Sequence, residues 1–118
     1  MEPMPLTSLP FGASSIPVIA VPDDLDLASA PVVREAVVKA LEGGTTAGVV
    51  IDMRNVGFVD SRGMAELLAV RKLVRGQPVR LLGVRETVLE AMQLLGIDIL
   101  FTLFDDLDEL RNSLRPTP

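Results

Sequence analysis

The chain has 118 residues, of which 48% are hydrophobic and 23% charged, a length and composition typical of one globular domain. It contains no Cys and no His, which excludes disulfides, thiolate metal sites and the dyads in which His activates a Ser or Cys nucleophile. A formal net charge of −5 and an aromatic content of 3%, all Phe, argue against a nucleic-acid-binding surface.

Neither end of the chain predicts regular structure. Prolines and a glycine among Ser and Thr predict a flexible N-terminal arm over residues 1–15, and a Pro-containing segment predicts a C-terminal tail over 115–118. The first residues lack the basic and apolar segments of a secretory signal, and no apolar run approaches the length of a membrane span. We therefore expect a cytoplasmic protein without membrane contact.

Between these ends, residues 16–114 alternate short apolar runs with amphipathic segments. The apolar runs predict strands over residues 16–21, 49–51, 79–84 and 99–103. Apolar residues recurring every three or four positions predict helices over residues 30–41, 63–75, 86–95 and 105–114. Strands alternating with single helices predict an α/β domain with a mainly parallel sheet, in which functional residues gather where strands end and helices begin.

The turn before the second predicted helix carries the most informative residues. Ser61 stands at the start of that helix, where its hydroxyl is suited to cap the free N–H groups of the first turn. Asp60 offers a second acceptor at the same place, and Gly63 permits close backbone approach or an unusual φ. Taken alone, the sequence Asp60-Ser61-Arg62-Gly63 is that of a helix cap with a tight turn.

The surroundings of this turn resemble the STAS domain, the family of bacterial anti-sigma-factor antagonists. An apolar strand ending in Asp, an apolar pair in a short loop, and Asp-Ser-x-Gly opening a helix match Val49–Asp52, Phe58–Val59 and Asp60–Met64. The Asp24-Leu25-Asp26 turn is similar to the family's Gly-x-Leu-Asp turn, with Asp23 where the glycine would be. The segment Leu94–Phe101 is similar to the family's C-terminal motif.

The resemblance implies a single STAS-like domain with a small mixed, mainly parallel sheet and helices packed mostly on one side. It also implies an anti-sigma-factor antagonist. The unphosphorylated form would bind an anti-sigma factor, a serine kinase, and free a sigma factor. Phosphorylation at Ser61 would end that binding, because a phosphate adds charge where the partner docks. Weak self-association is left open.

Several residues near Ser61 are candidates for partner contact. Arg62 is placed to pair with the phosphate or to reach the partner, and apolar residues cover well over half of the following helix, which leaves Met64 and Leu68 to face a partner. The residues assigned to partner binding are Asp24, Asp26, Asp60, Arg62, Gly63, Met64 and Leu68.

Other classes of function fit the sequence less well. Asp23, Asp24 and Asp52 imitate the acidic, Mg²⁺-binding pocket of a phospho-receiver domain. However, the chain between Asp24 and Asp52 has room for only one helix, and no Lys follows the last strand. We also expect no enzyme activity, cofactor or metal, because Ser61 has no His or nearby Lys to serve as its base and Gly-rich phosphate-binding motifs are absent. The remaining alternative keeps the fold: a scaffold subunit of a stress-signalling assembly, or a soluble accessory subunit of a lipid or anion transporter.

Overall fold

The strands and helices follow one another along the chain in the predicted alternation. The structure, a computed structural model, describes residues 6–42 and 47–116. Its elements are β1 (Ser8–Phe11), β2 (Ser14–Ala20), α1 (Ala30–Leu41), β3 (Val49–Asp52), α2 (Ser61–Leu73), β4 (Val79–Leu82), α3 (Glu86–Leu94), a 3-10 turn (Asp98–Leu100), β5 (Thr102–Phe104) and α4 (Leu107–Leu114). Within these described residues, no helix is long and apolar enough to cross a membrane.

The five strands form one mixed sheet in the order β1-β2-β3-β4-β5. Only β1 and β2 pair antiparallel, and β2 to β5 run parallel. In the central strand β3, Val49, Val50 and Ile51 are all fully buried. A parallel strand covered on both faces requires such an uninterrupted apolar run. The predicted α/β fold with a mixed, mainly parallel sheet is therefore confirmed.

The two faces of the sheet carry different numbers of helices. Apolar residues of α1, α2 and α3, among them Val37, Leu67 and Met92, share one core with Ile51 of β3. Val50 points to the other face and packs in a second core that includes Leu110 and Leu114 of α4. This division follows from the alternation of side chains along a strand, and it confirms that the helices pack mostly on one side.

The prediction of a flexible arm over residues 1–15 is wrong for the part of it that the structure describes as sheet. Residues 8–11 form β1, and β2 begins at residue 14 instead of 16. Leu9 pairs with Ile16 and is buried, so this segment belongs to the domain core. Pro10 is tolerated because β1 is an edge strand, which leaves one row of N–H groups unused. Residues 1–5 of the predicted arm lie outside the described residues.

The C-terminal part of the chain keeps the predicted elements with shifted bounds. The strand predicted over residues 99–103 is a 3-10 turn followed by β5 at 102–104. Helix α4 begins at residue 107 instead of 105, because the Asp106 side chain accepts a hydrogen bond from the N–H of Glu109 and so caps the helix. Of the predicted tail, residues 117 and 118 lie outside the described part of the chain.

Candidate functional site

The two turns singled out in the sequence meet at one edge of the sheet. They follow β2 and β3, two parallel neighbours whose carboxyl ends lie side by side. Leu25 and Val59 form an isolated parallel bridge between these turns. The N–H of Leu25 donates to the carbonyl oxygen of Phe58 at 3.0 Å, and the N–H of Asp60 donates to that of Leu25 at 3.2 Å. The start of α2 is thus fixed against the turn that precedes α1.

The residue that caps α2 is Asp60. Its backbone is extended, and its Oδ1 accepts a hydrogen bond from the N–H of Gly63 at 2.8 Å. Its Oδ2 accepts a second one, at 3.2 Å, from the N–H of Leu27 in the other turn. The prediction that the Ser61 hydroxyl caps the helix is therefore wrong, as is the predicted start at Gly63. The carboxylate of Asp60 is the better cap here, because its two oxygens can accept from α2 and from the other turn at the same time.

Ser61 is the first residue of α2, and its side chain is exposed. Within residues 6–42 and 47–116, no hydrogen bond involves its hydroxyl, and the backbone N–H groups of Ser61 and Arg62 have no acceptor. A shallow depression at this place is lined by Leu27, Asp60, Ser61, Arg62 and Ala65. The hydroxyl is accordingly accessible to another protein and sits at the positive end of a helix dipole.

Gly63 is buried where two backbone segments approach closely. A Cβ atom at this position would overlap the carbonyl oxygen of Leu25 and would lie 2.8 Å from a methyl group of Val59. Of the two uses of this glycine proposed from the sequence, close backbone approach is therefore correct. Gly63 sets the position of Ser61 and has no surface of its own for a partner.

The apolar residues beside Ser61 are arranged differently from the prediction. Met64 is 5% exposed and packs in the main core, so the expectation that it faces a partner is wrong, and Leu68 is half-buried against the same core. The exposed apolar side chains are instead Phe58, 57% exposed, and Leu27, 64% exposed. Val59 pairs with Leu25 and points inward, so the alternation of side chains turns Phe58 outward. The same alternation could have indicated from the sequence that the side chain of Phe58 is exposed.

The two acidic candidates of the first turn bind their own chain. Asp24 accepts a hydrogen bond through Oδ1 from the N–H of Gly57 at 3.1 Å. Asp26 accepts through Oδ1 from the N–H groups of Ala28 and Ser29, both at 3.0 Å. Both carboxylates therefore hold the turns of the site in shape, as Asp60 does.

An ion pair between the buried Asp52 and the half-exposed Arg54 lies at the end of β3. Arg54 Nη2 lies 2.8 Å from Asp52 Oδ2, and its Nε donates to Oδ1 at 3.0 Å. Burial by itself would raise the pKa of Asp52, but hydrogen bonds from the side chain and backbone of Arg54, together with its charge, lower that pKa below its usual value. Arg85 also donates two hydrogen bonds to the carbonyl oxygen of Arg54.

This pairing removes the main feature of a phospho-receiver pocket. Asp52 is neutralised by Arg54, and Asp24 is engaged with the N–H of Gly57. Among the residues that the structure describes, no group of three or more acidic side chains is arranged to hold a metal ion.

Comparison with known families agrees with the fold. The model of the STAS domain family matches residues 12–110, and the chain therefore belongs to the STAS domain family. No curated protein sequence matches the chain.

Solved structures of the same fold include members with different roles. An anti-sigma-factor antagonist (STAS) domain protein from Planctomyces limnophilus has a TM-score of 0.74 and 20% identity, over 84% of this chain and 90% of that one. A sulfate transporter family protein from Wolinella succinogenes has a TM-score of 0.71 and 22% identity, over 82% of both chains. The anti-sigma factor antagonist SpoIIAA in its unphosphorylated form has a TM-score of 0.61 and 18% identity, over 81% and 84%. At such identities the likeness shows the fold alone.

Proposed function

We propose that this protein is an anti-sigma-factor antagonist controlled by phosphorylation of Ser61. Unphosphorylated, it binds an anti-sigma factor that is a serine kinase, and thereby releases a sigma factor in the cytoplasm. The single observation that carries the proposal is the Ser61 hydroxyl, which is exposed at the first residue of α2 while Asp60 serves as the cap. The kinase performs the only chemical step, and the chain itself is a regulator.

The surface around Ser61 supports binding of a protein. Leu27 and Phe58 expose apolar side chains on the two turns that meet at the start of α2, and Ala65 lies one turn along the helix from Ser61. Arg62 is exposed and forms no ion pair with another described residue. An apolar centre with one polar, charged side chain is the usual composition of a protein-binding surface. We assign partner contact to Leu27, Phe58, Ser61, Arg62 and Ala65.

Phosphorylation would change this surface more than it changes the fold. The kinase transfers the γ-phosphoryl group of ATP to Ser61 Oγ, which loses its proton, and ADP leaves. The product carries about −1.5 to −2 charges beside the carboxylate of Asp60. The unpaired N–H groups of Ser61 and Arg62 and the helix dipole accommodate an anion there. A partner packed against the same place would instead bury that charge, and each 1.4 kcal/mol lost weakens binding tenfold.

The second candidate, an accessory subunit of a transporter, rests on the fold shared with the Wolinella succinogenes protein. Fold similarity does not separate the two roles, since antagonists share it as well. What favours the antagonist is the accessible hydroxyl at the start of α2, which a purely structural subunit does not require. Copurification with a transporter ATPase in place of a small serine kinase would favour the second candidate.

Incubation with candidate anti-sigma kinases and ATP tests the proposal. Intact mass should show one added phosphate on the native chain and none on Ser61→Ala. Ser29→Ala is the matched control, because Ser29 also stands at a helix start but its hydroxyl is bonded inside the chain. This control should be phosphorylated like the native chain. No phosphate from any cognate kinase, or equal labelling of Ser61→Ala, would contradict the proposal.

A further inference from the structure

The end of α3 exposes a group of large apolar side chains that the site at Ser61 does not use. Leu94 is 90% exposed, Leu95 61%, Ile99 83% and Leu100 37%. These four residues, called here the α3-end patch, lie within seven consecutive positions. Single exposed apolar residues are ordinary on a protein surface, but a contiguous group marks an interaction site.

The fold of this segment explains why these side chains cannot turn inward. Val88 and Met92, one turn apart on the inner face of α3, already fill the core. Gly96 has φ +70° and ends the helix, and the N–H of Ile97 donates to the carbonyl oxygen of Met92 at 3.0 Å, as in a Schellman motif. The α3-end patch is thus held outward on a firmly capped helix end.

The α3-end patch and Ser61 lie at opposite edges of the sheet. Ser61 follows β3, at the carboxyl ends of the parallel strands. Leu94 to Leu100 directly precede β5, at the amino ends of the same strands. A partner on the α3-end patch therefore occupies a surface different from the one around Ser61, and this inference is independent of the proposed function.

The charged residues next to the α3-end patch in the sequence are acidic. Residues 88–104 contain Glu90 and Asp98 and no Lys or Arg, whereas Glu86 and the four acids of residues 105–109 lie at the carboxyl ends of the strands, at the opposite edge of the sheet. Glu90 shares a shallow depression with Leu94, and Asp98 directly precedes Ile99. Arg71 and Lys72 lie towards the same edge of the sheet, but they belong to the last turn of α2.

We propose that the α3-end patch docks an apolar, basic segment of another protein, such as a helix that presents Leu or Ile beside Lys or Arg. The apolar side chains supply the buried area, and the acids at Glu90 and Asp98 select a partner of opposite charge. An anionic membrane surface is disfavoured by the same acids. A symmetric second copy is disfavoured because a two-fold axis would bring equal negative charges together.

Binding of synthetic helices to the full chain tests this inference. The probes are an amphipathic peptide of Leu and Lys and its counterpart of Leu and Glu, titrated calorimetrically and mapped by NMR on the isotope-labelled protein. The Leu–Lys peptide should bind and shift resonances of residues 90–100, whereas the Leu–Glu peptide should not bind. Leu94→Ser with Ile99→Ser should weaken binding about tenfold or more, since both side chains lose their buried area. Glu90→Gln with Asp98→Asn should weaken it about threefold to tenfold, and less at high salt.

Two controls keep the result unambiguous. Val32→Ser removes an exposed apolar side chain on α1, 63% exposed, and should leave peptide binding unchanged. Asp98 is half-buried and the other substituted side chains are exposed, so circular dichroism should show unaltered folding. Equal binding of both peptides, or shifts mapped to another surface, would overturn the inference. So would stronger binding to anionic vesicles than to the peptide, or a native dimer that becomes monomeric in Leu94→Ser with Ile99→Ser.

Discussion

An Asp and a Ser stand at the start of both α1 and α2; both carboxylates accept from backbone N–H groups, but the two serine hydroxyls differ. Before α1, Ser29 donates its hydroxyl to the carbonyl oxygen of Asp24 at 2.8 Å and accepts from the N–H of Asp26 at 3.0 Å. At α2, the Asp60 carboxylate accepts from the N–H groups of Gly63 and Leu27, and the hydroxyl of Ser61 bonds to no described residue. One serine is part of the scaffold and the other is available.

The difference teaches that a serine at a helix start is not by itself a modification site. Neither serine caps its helix through its hydroxyl, and what decides is whether the preceding turn supplies hydrogen-bond partners for that hydroxyl, as it does for Ser29. At α2 the helix end is capped by Asp60, whose second oxygen accepts from a residue 33 positions earlier in the chain. The accessible hydroxyl is therefore a product of tertiary structure, and the following changes test how it is maintained.

Replacing Gly63 should have the largest effect on stability, because the start of α2 lies directly against the turn before α1 there. In Gly63→Ala the new methyl group would overlap the backbone of Leu25, which must move. We expect a loss of about 3 kcal/mol in the free energy of unfolding, measured by urea denaturation. Gly57→Ala is the matched control: its methyl group would meet neighbours at 3.5 Å, and its stability should stay within about 0.5 kcal/mol of native. Equal losses in both variants would contradict the close approach at Gly63.

Removing the cap should have the next largest effect. Asp60→Ala deletes the acceptor for the N–H groups of both Gly63 and Leu27. Loss of an N-cap of this kind costs about 1–2 kcal/mol of stability. Asp60→Asn keeps one oxygen acceptor and should recover part of that loss in the same urea denaturation experiment. A native-like Asp60→Ala would mean that another residue caps α2.

The two serines should respond differently to the same substitution. Ser29→Ala removes a hydroxyl that makes hydrogen bonds in a partly buried turn, at an expected cost of about 1 kcal/mol. Ser61→Ala removes an exposed hydroxyl without a partner and should change stability by less than about 0.5 kcal/mol. Thermal unfolding of the two variants in parallel gives the comparison. A larger loss in Ser61→Ala would contradict the free hydroxyl.

A small effect that depends on pH is expected from the ion pair at the end of β3. Because the pKa of Asp52 is lowered in the folded state, its contribution to stability is present above the unfolded pKa, which is near 4, and is lost as the pH falls through the folded value. Arg54→Gln removes the partner, so burial then raises that pKa and this acid-dependent loss should shrink or reverse. Arg54 is half-exposed, which limits the change to below about 1 kcal/mol. Urea midpoints of the native chain and of Arg54→Gln, measured from neutral to acid pH, test this expectation. Identical pH profiles of the two proteins would argue against the ion pair.

The fold could be predicted from the sequence where the local sequence pattern and the tertiary packing favour the same structure. The bounds of α1 are those predicted, and the buried run of β3 identified a strand covered on both faces. The edge strand β1 was not predicted, because prolines are normally unfavourable in a strand. Only the pairing of β1 with β2 shows that Pro10 is tolerated. Long-range pairing of this kind leaves little trace in the local sequence.

The candidate site was predictable in place but not in detail. The sequence located the turn at Ser61, yet Asp60 and Ser61 are both good capping residues, and the choice between them depends on the distant N–H of Leu27. Likewise, the apolar residues of α2 cover so much of the helix that its inner face cannot be read from spacing. Glu66 is buried as well, paired with Arg34 of α1 at 2.8 Å, so a charged residue lies where an apolar one is expected.

The most direct test of the central claim is the affinity of the cognate anti-sigma kinase for the two forms of the chain. Calorimetric titration of the kinase with unmodified protein and with protein fully phosphorylated at Ser61 gives the ratio of the two dissociation constants. The account predicts at least about a hundredfold weaker binding after phosphorylation, which corresponds to a loss of about 3 kcal/mol or more, while thermal unfolding shows that the fold is unchanged. Equal affinities for a folded, phosphorylated chain would contradict it.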